Sequence, residues 1–400
     1  MGTDPSRSHG EPTKRVFVHI GAPKTGTTYL QHVLFKNAAA LADAGVLYPY
    51  TDAGQSFRSA HDFCGSRWFG QGADRFRGEW ELLAQRARDW DGSTVILSSE
   101  LLAAAMPDRI RTGLALLEPL EVHVVFTARD FARQLVSDWQ EQVKHKHTVT
   151  LERFVDDLVE LGLDAPKPFG RLFWGMHDAA FVLKRWAQVV PLPRIHVLTT
   201  PPPGGPSDAL WMRFCAITGL DPAGYDTRTR RTNPSMGVLE TELVRRLNLG
   251  VAKLQTNSYD ALIRLFLADK VLRGGSPRLS LPPQHLAWVT ERSRLLVDEL
   301  TAAGYSVEGD LEDLVPTGPV APYVSPTALT DADLGPAAIK AATALLNHAG
   351  KLRDRNQSLR AAAEQAAPAD DSVPHQRRIA GAGRRAARRL LRGAEPPTDA

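Results

Sequence analysis

Val16-Phe17-Val18-His19-Ile20-Gly21-Ala22-Pro23-Lys24-Thr25-Gly26-Thr27-Thr28-Tyr29-Leu30-Gln31 decides how the chain reads. A short apolar run stops at two small residues. A lysine, a glycine and several hydroxyls follow, and then a helix-compatible sequence begins. This is the order of a buried strand, a phosphate-cradling turn and a helix N-terminus. Backbone N–H groups in such a turn converge on one spot, and the helix dipole favours negative charge there. Gly26 allows close backbone approach, Lys24 brings a point charge, and Thr25, Thr27 and Thr28 bring donors.

The ATP-binding loop has the pattern G-x-x-x-x-G-K-S/T. Gly21 and Gly26 have that separation and Thr28 fits its last position, but Thr27 stands where the lysine belongs. The lysine is Lys24, on the other side of the glycine. Pro23-Lys24-Thr25-Gly26-Thr27-Thr28 instead resembles the 5'-phosphosulfate loop of sulfotransferases, which use 3'-phosphoadenosine 5'-phosphosulfate (PAPS) as sulfuryl donor. A second stretch, Thr127-Ala128-Arg129-Asp130-Phe131-Ala132-Arg133-Gln134-Leu135-Val136-Ser137, resembles that family's 3'-phosphate motif. The motif has an arginine just after a strand and a serine eight residues on, here Arg129 and Ser137. Arginine suits the task because its planar fork grips phosphate through two bonds. Trp139 to His145 and Phe173-Trp174 are also similar to bacterial members, and the resemblance covers roughly residues 15–250.

The resemblance implies further roles. Arg230-Arg231-Thr232-Asn233-Pro234-Ser235 stands where relatives close a basic loop over the nucleotide, so Arg231, Asn233 and Ser235 are expected to touch the donor. Lys24 is expected to stabilise the bridging oxygen as 3',5'-adenosine diphosphate leaves. An acceptor hydroxyl needs a base, and the candidates are Glu100, after the third strand, and His61, in a long loop. Sulfate esters carry less charge than phosphate chains, so no metal is expected. The acceptor class is a small molecule, glycolipid or saccharide. Two other readings remain open: a nucleotide-dependent kinase with a variant loop, and a nucleotide-binding adaptor acting through its basic C-terminal helix.

Strand-like runs alternate with helix-like runs through Thr218, which predicts an α/β fold with a parallel sheet of about five strands, P-loop-like and flanked by helices. The predicted strands are 15–20, 46–48, 94–97, 121–127 and 194–199. Ligands of such sheets sit beyond the C-terminal strand ends, so the loops after Gly21, Ser98 and Ala128 should share one crevice. Residues 49–78 lack periodicity and are expected to form a lid or acceptor loop. Helices are expected over 131–144, 151–161, 177–189, 208–218, 236–249, 258–272 and 284–303.

The domain reading is a disordered leader 1–14, a sulfotransferase-like domain 15–314 (α/β core 15–235, helical part 236–314), a Pro-rich linker 315–327, and a helical, basic, partly disordered tail 328–400. Seven arginines between Arg377 and Arg392 give that tail an expected peripheral contact with an anionic surface. Bulk composition adds limits. With 400 residues, 43% hydrophobic, the chain is long enough for a large core, and its net charge of +3 makes no demand for nucleic acid. Two distant cysteines, Cys64 and Cys215, indicate no disulfide framework. No apolar run approaches the roughly 18 residues a membrane span needs. The expected location is cytoplasmic.

Overall fold

The computed structural model describes residues 14–65, 73–228, 235–319 and 321–365. Residues 1–13, Arg231, Asn233 and the arginine-rich stretch 377–392 lie outside the described residues.

The fold is α/β. Six strands, β1 (Arg15–His19), β2 (Val46–Leu47), β3 (Thr94–Ser98), β4 (Glu121–Ala128), β5 (Ile195–Thr199) and β6 (Ser306–Glu308), form one sheet in the order β2-β3-β1-β4-β5-β6. Every pairing is parallel. Val16 pairs with Val95 on one side and Val122 on the other, so β1 is fully flanked. Both faces are covered, which is why these strands read as continuous apolar runs. Val16, Val18, Val95, Ile96, Leu97, Val124, Val125 and Phe126 are completely buried.

Helices α1 (Thr27–Lys36), α2 (Ala38–Asp43), α3 (Gln55–Cys64), α4 (Glu79–Asp89) and α5 (Pro107–Ala115) lie in the first half. Next come α6 (Phe131–Lys144), α7 (Leu151–Leu161), α8 (Phe169–His177), α9 (Ala179–Trp186) and α10 (Ala209–Thr218). The last group is α11 (Val238–Gly250), α12 (Thr256–Tyr259), α13 (Leu286–Ala303) and α14 (Asp331–Gln365). α6 starts at Asp130, whose carboxylate accepts from the Arg133 N–H at 2.9 Å and so fixes the helix start directly after β4.

Four expectations change. The sheet has a sixth strand: β6 is three residues long, exposed or half-buried, and offers no apolar run to notice. The helix predicted over 177–189 is the shorter α9, which Asp178 caps by accepting from Phe181 N–H at 3.1 Å, and it is preceded by α8, which was not expected. Residues 49–78, expected to form a lid or acceptor loop, contain regular structure in their described part. They hold α3 and a 3₁₀ turn at Ala73–Phe76. α3 buries Gln55, Ser59 and His61 beside Ala60 and Phe63, and that mixed face hides its period from a count of apolar residues. Finally, α12 continues as a π-helix over Asp260–Val271 rather than as an ordinary α-helix.

The chain divides into two compact units, 1–341 and 342–400. The Pro-rich stretch expected as a linker lies inside the first. Tyr323 and Ser325 donate to Glu152 Oε1 on α7 at 2.7 and 2.5 Å, which draws the stretch against the body. The described part of the second unit, 342–365, is the remainder of α14. Among the described residues no helix is long and apolar enough to cross a membrane.

Candidate functional site

The turn after β1 grows out of the sheet. Ile20 and Ala22 N–H groups donate to Val125 and Thr127 carbonyls at 2.9 Å, so the chain stays paired with β4 past the strand's end. His19 is fully buried and bridges Ser98 Oγ and Thr127 Oγ1, each at 2.8 Å, linking β3, β1 and β4 where the loops leave them. Burial lowers its pKa to about 3, so the ring is neutral.

The turn needs its glycines. Gly21 has φ +46°, and a Cβ there would meet Thr27 Cγ2 at 2.4 Å. Gly26 has φ +94°, caps α1, and a Cβ would meet Leu210 Cδ2 at 2.5 Å. Lys24 is left-handed at φ +65° although it has a side chain, a strain that clusters at functional sites. Thr25 Oγ1 donates to the Ala22 carbonyl at 2.7 Å and tightens the turn. Thr25 and Thr27 are buried, while Thr28 is exposed at the first turn of α1. From α6, Gln134 donates to the Pro23 carbonyl at 3.2 Å and to His177 Nδ1 at 2.9 Å, tying the turn to α8.

Arg129 comes to the same place from β4. Its Nη1 donates to the Lys24 carbonyl at 2.8 Å and to Ser137 Oγ at 3.4 Å. Among the described residues no carboxylate forms an ion pair with it. Burial, with Arg133 beside it, lowers the guanidinium pKa to about 10, Asp130 offsetting only part. A half-buried cation without a counter-ion is a receptor for an anion. Arg129, Ser137 and Ser235 line one cavity of about 240 Å³, together with Arg133, Gln140 and apolar neighbours.

Glu100 opens the 3₁₀ turn after β3 and sits against the loop. A Cβ on Gly21 would lie 3.3 Å from Glu100 Cβ. Gln31 of α1 donates to Glu100 Oε2 at 2.9 Å. His61 lies on α3, not in a loop, and is 4% exposed. Its ring packs against Phe57 and Phe76 with centroids 4.3 and 5.9 Å away, and burial lowers its pKa. The structure thus gathers Lys24, Thr25, Gly26, Thr27, Thr28, Arg129, Ser137 and Glu100 at the C-terminal edge of three central strands.

Sequence reasoning missed Glu141. Its Oε2 is 3.0 Å from Lys24 Nζ, and its Oε1 is 3.5 Å from His145 Nε2. Burial opposes its ionisation, but Lys24, His145 and Lys144 outweigh that and hold its pKa well below the carboxylate range. Lys24 is shifted too: burial works against its charge, yet Glu141, Asp138 and Asp269 raise its pKa. Lys144 pairs in turn with Asp269 of the π-helix at 2.9 Å. One signal was available: Arg133, Ser137 and Glu141 fall at four-residue steps and share a face of α6. Among the described residues no group of three or more His, Cys, Asp or Glu side chains is placed to hold a metal ion.

No protein-family model and no curated protein matches the chain. Among solved structures it is similar to the crystal structure of a sulfotransferase from Alicyclobacillus acidocaldarius. The identity is 16%, with 62% of this chain and 94% of that one covered and a TM-score of 0.38.

Proposed function

We propose that this chain is a sulfotransferase that takes a sulfuryl group from PAPS and passes it to a hydroxyl or amine of a small-molecule, glycolipid or saccharide acceptor. The observation that carries the reading is the 2.8 Å bond from Arg129 to the Lys24 carbonyl. It puts a half-buried guanidinium, without an ion-pair partner among the described residues, and a phosphate-type turn side by side. A nucleotide with anions at both ends fits two cationic grips better than ATP, whose charge lies at one end.

The residues fit such a donor. The N–H groups from Lys24 to Thr28, the Thr25 and Thr27 hydroxyls and the Lys24 ammonium would hold the 5' phosphosulfate. Arg129 and Ser137 would hold the 3' phosphate, with Ser235 on the cavity wall. The donor supplies an activated sulfuryl group whose transfer needs alignment and charge stabilisation more than covalent help. Lys24 neutralises charge as it develops on the leaving side. Glu100, held by Gln31, accepts the acceptor's proton. His61 is the second choice for that role, its buried ring being neutral.

Calorimetry tests the reading. 3',5'-Adenosine diphosphate should bind much more tightly than ATP, without magnesium, and labelled PAPS should mark an acceptor in cell extract. ATP binding as tightly as the 3'-phosphorylated nucleotide, or magnesium-dependent ATP turnover, overturns it.

A further inference from the structure

The part of α14 beyond Ala341 carries a strict repeat. Leu345, Leu352 and Leu359 follow one another at seven-residue steps, and Ala342, Ala349 and Asn356 precede them by three residues each. With heptad positions lettered a to g, the alanines and the asparagine stand at a and the leucines at d. That is the seam of a two-stranded coiled coil, where a and d side chains insert between those of a facing helix. The same spacing also occurs on helices that pack against their own domain. Burial argues against that here. Every residue from 349 to 362 is exposed, Leu352 by 43% and Leu359 by 58%. Leu346, beside the seam at e, is 74% exposed. Helices in folded proteins are held mainly by packing of an apolar face. Gly350, Asn347, Asn356 and Ser358 are weak helix formers, so propensity does not replace that packing.

The flanks of the seam say what would cover it. Arg353 and Arg360 stand at e and Arg355 at g, all exposed and without an ion pair among the described residues. No carboxylate stands at e or g between 345 and 362, and Asp354 is at f, on the far side. Two copies of this helix in parallel would set Arg355 of one against Arg360 of the other along both edges. An antiparallel pair brings e to e and g to g, and the charges are again alike. A facing helix with carboxylates at e and g turns the same arginines into ion pairs. Asn356 adds register. A lone asparagine at a pairs with an asparagine on the partner, which specifies two parallel strands at a cost in stability. On a lipid surface, an asparagine in the apolar stripe would only be a cost.

We propose that residues 342–362 dock a helix of another protein in a parallel two-stranded coiled coil. The partner helix has leucines at d, an asparagine at one a position, and glutamate or aspartate at e and g. None of these residues of α14 belongs to the phosphate turn or to the Arg129 cavity, so the docking stands whether or not the chain binds PAPS.

The test titrates full-length protein into a labelled peptide of about four heptads, read by fluorescence anisotropy. The peptide has leucine at d, asparagine at the a position facing Asn356, and glutamate at e and g. The same peptide with lysine at e and g, and an acidic peptide of equal composition with its order scrambled, serve as comparisons. The glutamate peptide should bind one to one and far more tightly than either. Leu352→Ala should weaken it about a hundred-fold, as for a leucine lost from a packed seam. Arg353→Glu with Arg355→Glu and Arg360→Glu should reverse the preference in favour of the lysine peptide. Both variants change exposed side chains and should melt like the unaltered protein. A glutamate peptide that does not bind, or that binds Leu352→Ala equally well, overturns the proposal. So does a scrambled peptide bound as tightly as the ordered one, which makes charge alone the cause. Binding to anionic phospholipid vesicles that Leu352→Ala abolishes makes lipid the occupant instead. A dimer in sedimentation equilibrium that Leu352→Ala dissociates makes it a second copy, and either result overturns the proposal.

Discussion

Gly26 joins two constraints in one residue: a left-handed backbone and a Cβ position already filled by Leu210. Gly26→Ala should therefore cost about 1–3 kcal/mol of stability and distort the turn. Thermal melting and nucleotide titration on one sample check both effects, and an unchanged melt with full binding would contradict the account. Arg129 is a different case. It is a half-buried cation that donates to the Lys24 carbonyl and the Ser137 hydroxyl, neither of them charged. Arg129→Ala should leave the fold intact and lower affinity for 3',5'-adenosine diphosphate by about a hundred-fold, as for losing a charge-assisted pair. Equal losses for 5'-AMP would place Arg129 at the wrong end of the ligand.

α6 brings most of the site together, and it also marks how far the sequence could be read. The strand, the glycine turn and the start of α1 are contiguous, so their chemistry was legible directly. The limits of α6 and α7 were legible too, because Asp130 and Thr150 cap apolar-periodic runs. Contacts between distant residues were not. Glu141 meets Lys24 across 117 positions, and its spacing from Ser137 on α6 hints at a place near the site but not at Lys24 as its partner. α3 escaped because its buried face is half polar. The edge strand β6 escaped because three residues carry no pattern. At this scale the capping carboxylate is a test: Asp130→Ala removes the cap and strands Arg133. It should lower stability by about 1–3 kcal/mol, read as a reduced midpoint in urea unfolding. An unchanged midpoint would mean that α6 is held by packing alone.

Acid should weaken the molecule as a whole. His19 has a folded pKa of about 3, set by burial, against 6.5 when unfolded. Between those values the unfolded chain binds a proton that the folded one refuses, so stability rises with pH across that window and falls as pH drops below 6.5. The slope is about 1.4 kcal/mol per pH unit, which makes a loss of about 2 kcal/mol by pH 5. His196, lowered to about 4 by burial and by His123, acts in the same direction. Urea unfolding at pH 7 and pH 5 measures this, and identical stabilities would remove the buried neutral histidine from the account. A second whole-chain test concerns length. Leu334, Ala337 and Ala341 are buried, and Arg246 binds Asp331 and the Leu329 carbonyl. A chain ending at 341 should melt like the full protein, whereas one ending at 327 should melt several degrees lower, each lost kcal/mol being worth roughly 2–4 °C at this size.

Lys24 is never bare in the resting protein, because Glu141 already occupies it. An incoming anion must therefore arrive by exchange, and the displaced carboxylate loses the strongest attraction keeping it ionised. Its affinity for hydrogen ions must then climb. Ligand capture in mildly acidic solution should accordingly draw protons from the medium, visible as a binding heat that changes with the ionisation enthalpy of the buffer and that disappears in Glu141→Gln.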